Sequence, residues 1–340
     1  MKLSVKENFF ETIKRGGKPD SVVVQWGPLM ANIPNVIEPC LIYMGGGREP
    51  GKTIIDNWGT TIIWPEGQPA AIPHHDEETK VIKDITRWRE YVNVPDIVAN
   101  TMNGWEKAAE NSKRIRDEGN MTVAFMPGGM FERMHYLMGF EDALISFLAE
   151  PEACHELLDV ICEFQCTYAK IIIEKFKPDA VLAHDDWGSK NSLFMSPDVW
   201  REFFKERYRK FYKLFKDTGI LTIHHADSYL EPIVEDMVDI GIEIWQGVLP
   251  QNDIPKIQKI LDGRMALMGG IDAAIVDVED VPEDVIRAEV RRAITEYVPG
   301  GNFIPNLPNG LRDGALFPRT DQIIDDEIRK FNESGYFKIN

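Results

Sequence analysis

Two histidines and an aspartate follow an apolar run in the middle of the chain. Residues 219–223 read Gly-Ile-Leu-Thr-Ile and lead directly into His224 and His225, with Asp227 two residues further on. Side chains two apart on a strand lie on the same face, so His225 and Asp227 share a face if the strand continues. Imidazole and carboxylate groups are common zinc ligands, and the same pair can carry a proton. We therefore predict that His225 and Asp227 are either metal ligands or the acid–base pair of an active site.

Polar side chains also follow the neighbouring apolar runs of the chain. They include His184, Asp186, Gln246, Asn306 and Asn309. Barrel enzymes keep their active sites at the carboxyl ends of their strands, so these residues predict one polar basin at a single rim. In this basin we expect Asp186 and Asn309 to complete or orient the catalytic pair, and Gln246 and Asn306 to contact substrate. The alternative is that these groups only satisfy each other's hydrogen bonds at the barrel mouth.

Two tryptophans lie close to the predicted strand ends. Trp26 follows the first apolar run, and Trp187 follows His184 by three residues. Aromatic side chains at a rim can line a cavity for a planar substrate, so we predict that both contact substrate. Packing in the core or under a lid is the alternative, because large aromatic residues are mostly buried in folded proteins.

The elements that would position these residues alternate between short apolar runs and amphipathic helices, which is typical of βα units around a parallel sheet. Seven runs predict strands, at residues 21–25, 121–126, 180–184, 220–225, 242–246, 265–268 and 302–305. One further strand would complete a (β/α)8 TIM barrel. We predict a single barrel domain over residues 1–340, with an excursion around 30–100 that contains a hairpin near 54–65.

The composition excludes several classes of protein. The formal net charge of −17 argues against nucleic acid or an anionic membrane surface as a partner, since both require basic patches. The first residues show no apolar signal region, and no apolar run is long enough to span a bilayer, so we expect a cytoplasmic protein. The four cysteines indicate no disulfide framework.

Three segments of the chain resemble the uroporphyrinogen decarboxylase superfamily, and the likeness extends over nearly the whole length. The first is 127–133, Pro-Gly-Gly-Met-Phe-Glu-Arg, followed by 137–144. The second runs from 184–189 through 196–203 and is similar to the family's DD-x-G-S and SP-x-x-W-x-E-F patterns. The third, 225–228, stands where the family commonly reads H-x-C-G. The resemblance implies a (β/α)8 barrel with its site at the carboxyl rim.

The resemblance covers two branches of activity. One branch decarboxylates uroporphyrinogen without a cofactor, and the other moves methyl groups between substrates, corrinoid proteins and thiols or folates, usually with zinc. Residues 25–30 read Gln-Trp-Gly-Pro-Leu-Met where the decarboxylases have an arginine-rich loop, and Asn309 stands in place of their histidine. Asp227 replaces a zinc-binding cysteine of the methyltransferases. These departures argue against true uroporphyrinogen decarboxylation and leave a harder His/Asp metal site.

Our first hypothesis is a corrinoid-linked methyltransferase that demethylates a small methylated substrate, such as a methoxylated aromatic compound. Zinc or a similar divalent metal would be bound by His225 and Asp227, and cobalamin would be carried by a partner corrinoid protein. The second hypothesis is a cofactor-free decarboxylase acting on a smaller acid through an Asp186/His225 proton relay. The third is a barrel that binds a ligand without catalysis. The resemblance also allows a homodimer or a larger complex.

Overall fold

A parallel sheet is the centre of the structure, a computed structural model that describes residues 2–31, 51–66, 71–100, 105–126, 128–309 and 314–335. The strands of the described residues are β1 (Leu29–Ala31), β2 (Thr53–Ile55), β3 (Thr61–Ile63), β4 (Ile72–Pro73), β5 (Met121–Met126), β6 (Ala180–His184), β7 (Leu221–His225), β8 (Ile244–Val248), β9 (Ala266–Gly270) and β10 (Phe303–Asn306). Seven of them form the parallel sheet in the order β1-β5-β6-β7-β8-β9-β10, and β2, β3 and β4 form a separate antiparallel sheet.

Helices connect the parallel strands and cover the outside of the sheet. The α-helices are α1 (Val5–Ile13), α2 (Ile97–Asn100), α3 (Trp105–Asp117), α4 (Met130–Met138), α5 (Phe140–Ala149), α6 (Pro151–Ile171), α7 (Pro197–Trp200), α8 (Glu206–Lys216), α9 (Val234–Ile240), α10 (Ile254–Leu261), α11 (Ala273–Val276), α12 (Glu283–Tyr297) and α13 (Pro318–Glu333). Within the described ranges, no helix combines the length and the apolar character needed to cross a membrane.

Two apolar cores lie on opposite faces of the parallel sheet. The larger core fills the space between the sheet and the helices. The smaller core collects inward-facing side chains from every strand of the sheet, including Leu29 of β1 at one edge and Ile304 of β10 at the other. Because both edge strands pack into one interior cluster, the sheet is curled around that cluster. Strands buried on both faces explain why the sequence shows continuous apolar runs.

Six of the seven predicted strands are confirmed, two of them at the predicted bounds. The prediction of a strand at 21–25 is wrong, because the first strand of the sheet is β1, several residues later. The backbone turns in between: Gln25 has a positive φ of 42°, and the Leu29 amide donates to the Trp26 carbonyl oxygen at 2.9 Å. The described sheet therefore has seven strands, with β1 and β10 at its edges.

The hairpin predicted near 54–65 is confirmed, and a buried ion pair attaches it to α4. Strands β2 and β3 pair antiparallel. The Arg133 guanidinium on α4 donates to the Asp56 carboxylate at 3.0 Å and lies over the Trp58 ring, 4.7 Å from its centroid. Both charged side chains are almost completely buried. The same Asp56 carboxylate accepts the Trp58 and Thr60 amides, so the hairpin turn and the ion pair depend on one side chain.

Removing one partner of this ion pair should destabilise the fold strongly. We expect Arg133→Met to lower the free energy of unfolding by about 3–5 kcal/mol, because Asp56 is left as a buried charge without its cation. Urea unfolding monitored by circular dichroism measures the loss. The matched control is Arg114→Met, which removes an exposed ion pair to Glu118 and should change stability by at most about 0.5 kcal/mol. Equal losses in the two variants would contradict the role assigned to Arg133.

Candidate metal and active site

The register of three neighbouring strands brings the predicted site residues together at the carboxyl rim of the sheet. His184 at the end of β6 is directly opposite His225 of β7, and His225 is opposite Gln246 of β8. Asn306 ends β10 at the same rim, two strands further along the sheet. The parallel sheet therefore places residues that are up to 122 positions apart in sequence along one edge of the same basin.

Two stacked histidines and an aspartate form a group that could hold a metal ion. The His184 and His225 rings are 4.7 Å apart between centroids and inclined by only 16°. Together with Asp186 they offer one ligand atom each, and these atoms lie within 4.8 Å of one another. Among the described residues, these three side chains form the one cluster of histidine, cysteine or acidic groups close enough to share a metal ion. The sequence predicted Asp227 beside His225, whereas this cluster contains His184 and Asp186.

A buried glutamine sets the orientation of His225. The His225 Nδ1 atom is hydrogen-bonded to the Gln246 side-chain oxygen. The Gln246 Nε2 atom donates to the Asn306 side-chain oxygen at 3.0 Å and to the carbonyl oxygens of Pro308 and Asn309 at 3.3 and 3.2 Å. Carbonyl oxygens only accept, so the amide cannot be reversed. His225 therefore carries its proton on Nδ1 when neutral, and the lone pair of Nε2 is available to a ligand.

A buried glutamate sets the orientation of His184. The His184 Nδ1 atom donates to the Glu132 carboxylate at 3.0 Å, and Nε2 lies 3.7 Å from an oxygen of Asp186. Burial opposes a charge on the ring, but Glu132 and Asp186 outweigh it and raise the pKa of His184 to about 10. Burial and the neighbouring His184 lower the pKa of His225 to about 4. At neutral pH the two rings therefore differ: His184 is cationic when no metal is bound, and His225 is neutral.

The pKa values of Asp186 and Asp227 are both raised. Burial and the Glu132 charge raise the pKa of Asp186 to about 6, although His184 opposes this. The Asp227 amide and the Ser228 hydroxyl both donate to Asp186 at 3.2 Å. Desolvation at the mouth and the Asp186 charge raise the pKa of Asp227 to about 6, while its side chain still reaches solvent. Both carboxylates are mostly ionised at pH 7, as metal ligands must be.

Asp185 and His224, which neighbour the site residues in sequence, have structural roles. Asp185 is fully buried and accepts hydrogen bonds from the Phe131 and Glu132 amides at the start of α4. Gly129 makes this approach feasible, because a Cβ atom there would lie 2.2 Å from the Cβ of Asp185. His224 is also fully buried, between the Tyr212 hydroxyl and the Asp185 carbonyl oxygen. Asp185 thus fixes the start of the helix that carries Glu132.

The predicted substrate-binding residues are all buried. Trp187 is completely buried, stacks on His224 and donates to Asp185, so it packs in the outer core. Trp26 is buried in the interior cluster inside the curled sheet. Gln246 and Asn306 are also completely buried and lie behind His225.

The predicted catalytic Asn309 is partly buried and close to the rim. Its side chain donates to the Gly314 carbonyl oxygen at 2.6 Å. Its backbone carbonyl accepts from Gln246. Asn309 is therefore connected to Gln246 by its main chain, and its side chain contacts the main chain of Gly314, which lies before α13.

Sequence reasoning missed the residues that support the histidines from behind. Glu132 lies 52 positions before His184 and on a helix, so no spacing rule connects the two residues. A signal was present, because Glu132 stands at the third position of α4 after the N-cap Gly129, where it can accept that residue's amide. Gln25 lies in a segment predicted as a strand, and its contact with Asn306 joins the segment before β1 to β10, which only the tertiary fold brings together.

The donor set fits a divalent metal. With His184 deprotonated at Nε2, two imidazole nitrogens and one carboxylate oxygen would resemble the three protein ligands of catalytic zinc sites, which keep a further position open. Each histidine donates its other ring N–H to a buried acceptor, the arrangement that usually orients metal-bound imidazole. The absence of thiolate from this set favours zinc or a harder divalent ion over soft metals.

Comparisons with known proteins agree with this architecture. The chain is 27% identical over 165 residues to the methylcobamide:CoM methyltransferase MtaA of Methanosarcina barkeri, covering 47% of each chain. It is 23% identical over 194 residues to a uroporphyrinogen decarboxylase of Thioalkalivibrio sulfidiphilus, covering 53% of this chain and 50% of that protein. The matches thus span about half the length of these curated relatives.

The fold has a solved counterpart. A methyltransferase from Methanosarcina mazei superposes with a TM-score of 0.55 at 20% identity, covering 91% of this chain and 82% of that one. Residues 53–315, most of the chain, match the family described as uroporphyrinogen decarboxylase (URO-D). This confirms the resemblance found in the sequence: the chain belongs to the URO-D family.

Proposed function

We propose that this chain is a methyltransferase with a metal-assisted site, which moves a methyl group from a small methylated substrate to cobalamin carried by a partner corrinoid protein. The observation that carries the proposal is the His184–Asp186–His225 group, because two oriented imidazoles and a carboxylate meet at the carboxyl rim. The similarity to a methylcobamide:CoM methyltransferase supports the reaction class. The proposal includes closure of the curled sheet into a barrel between its edge strands β1 and β10.

Some side chains of this basin would bind the metal ion, and others would keep those ligands oriented. His184, Asp186 and His225 would hold a divalent ion, with Asp227 as a further ligand from the mouth. A bound divalent ion would act as a Lewis acid on the substrate oxygen from which the methyl group is removed. Glu132 and Gln246 hold the two imidazoles in place, so the ligand atoms need not reorganise on binding.

Methyl transfer from an ether sets a clear requirement for the leaving oxygen. The C–O bond breaks, its electron pair stays on oxygen, and the methyl carbon forms a bond to the acceptor. Alkoxide is a poor leaving group, so this oxygen must be protonated or bound to a cation. Asp227, with its pKa raised to about 6, is mostly ionised at pH 7, so a bound metal ion would take the place of a proton on the leaving oxygen. Cobalamin in its Co(I) state would supply the strong nucleophile that an unactivated methyl group needs.

A decarboxylase acting on a smaller acid is the second candidate. The observation that favours it is the cationic His184 beside Asp186, because an imidazolium at the rim can bind a carboxylate without any metal. The similarity to a uroporphyrinogen decarboxylase also supports a decarboxylase function. This candidate predicts release of carbon dioxide by the metal-free protein in the absence of any corrinoid, which the methyltransferase would not show.

Metal content tests the assignment of His184 and His225 as metal ligands directly. We expect about one zinc or similar divalent ion per purified chain, measured by plasma mass spectrometry, and loss of that ion in His225→Ala and His184→Ala. His74→Ala is the matched control, because His74 pairs with Asp76 at the surface and should leave the metal in place. A wild-type protein that contains no metal and takes up no added zinc would contradict the metal site and favour the second candidate.

Activity tests the role of the same residues. With a panel of methoxylated aromatic acids and chemically reduced cobalamin, we expect methylcobalamin to appear in the visible spectrum with the wild-type protein. His225→Ala should lower this rate by at least about 100-fold, the scale of losing one polarising group in an active site, with an unchanged circular dichroism spectrum. Normal turnover in His225→Ala would show that the reaction occurs elsewhere.

A further inference from the structure

A continuous chain of buried side-chain amides leads away from His225 to the opposite edge of the sheet. Gln246 contacts the ring, Asn306 contacts Gln246, and Gln25 contacts Asn306. The chain ends on α13, where the Gln25 Nε2 atom donates to Asp321 at 3.2 Å and to Asp325 at 3.0 Å. These contacts connect β7, β8 and β10 with the segment before β1 and with the C-terminal helix.

The hydrogen bonds of this chain all run in one direction. Each amide accepts on its oxygen from the side nearer His225 and donates from its nitrogen towards α13. The carboxylates at the end can only accept when ionised, which fixes the orientation of Gln25. The two main-chain carbonyls that also accept from Gln246 fix the orientation at the other end. A reversed amide anywhere in the chain would place two donors or two acceptors against each other.

Full burial makes this direction energetically important. Gln246 and Asn306 have no exposed surface, and Gln25 is 6% exposed. A buried amide group left without a partner is destabilising, so each member depends on the next. Successive hydrogen bonds in a buried chain also polarise one another. The acidic end of the chain can therefore act on His225 through three amides, whereas Glu132 acts on His184 by direct contact.

We propose that Gln246, Asn306 and Gln25 are positioning residues, which together hold His225 as the Nδ1–H tautomer with Nε2 aimed into the basin. This replaces the expectation that Gln246 and Asn306 contact substrate, since both lie behind the histidine. The consequence for metal affinity rests on the proposed function. The consequence for the tautomer does not, because the chain of hydrogen bonds is complete without a metal.

Two measurements on the full chain test this assignment. Long-range proton–nitrogen NMR of histidine-labelled, metal-free protein reports the tautomer of His225. Titration with Co²⁺, followed by visible absorbance, reports the affinity of the metal site. The variants are Gln246→Leu, which removes the acceptor of the ring N–H, and Gln25→Leu, which touches neither the ring nor the basin. Gln25→Leu keeps the test open if the more central Gln246→Leu does not fold.

The matched control is Gln258→Leu. Gln258 is likewise a buried amide that donates to two main-chain carbonyl oxygens, those of Tyr297 and Gly301, but it packs outside the chain described above. Its removal should reduce stability without changing the tautomer of His225 or the Co²⁺ affinity. The control therefore separates a general loss of packing from a specific loss of orientation.

We expect the wild-type protein to show the Nδ1–H tautomer alone. Gln246→Leu should show both tautomers and bind Co²⁺ about 10–100-fold more weakly, the usual effect of losing the partner of a metal-bound histidine. Gln25→Leu should change both readouts in the same direction by a smaller factor. An unchanged tautomer in Gln246→Leu and Gln25→Leu would overturn the inference, and so would an equal loss of affinity in Gln258→Leu.

The two proposals fail differently. A wild-type protein that binds no Co²⁺ but loses its single tautomer in Gln246→Leu would contradict the metal site and support the positioning chain. A protein that binds Co²⁺ through His225 with no change in Gln246→Leu would support the metal site and overturn the positioning chain.

Discussion

The parallel register of β6, β7 and β8 is the constraint on which the candidate site depends. It places His184, His225 and Gln246 side by side at the strand ends. A slip of one residue would turn His225 to the opposite face of the sheet and break its hydrogen bond to Gln246. The register is held by apolar side chains on both faces of the strands, so the chemistry at the rim is fixed by packing several residues below it.

Sequence reasoning succeeded where one local pattern determines the result. Strands β5 and β6 were predicted at their bounds, because strands buried on both faces are continuous apolar runs. The strand predicted at 21–25 failed, because Gln25 has a positive φ and hydrogen-bonds to Asn306 and Leu307, contacts that no local pattern predicts. The rim histidines could be found from their place after strands, whereas Glu132 could not, because only the tertiary fold brings α4 to His184.

The shifted pKa values in the basin arise because burial disfavours charge, and because several acidic side chains lie close together with few cations near them. Glu132, Asp185, Asp186 and Asp227 lie near one imidazolium, and three of these four acids hold their protons more tightly than usual. Ionised groups in such a cluster repel one another at low dielectric. A divalent cation between the histidines would offset this repulsion, so the charges of the basin suit a metal ion.

The close approach of Gly129 and Asp185 has a consequence for the history of the family. No side chain fits at position 129 while Asp185 reaches the first amides of α4, since the two Cβ atoms would overlap. The two positions are 56 residues apart, yet residue 129 cannot become larger while Asp185 stays in place. A relative with a larger residue at 129 must cap this helix from elsewhere, so the pair should covary and mark which lineages share this construction of the rim.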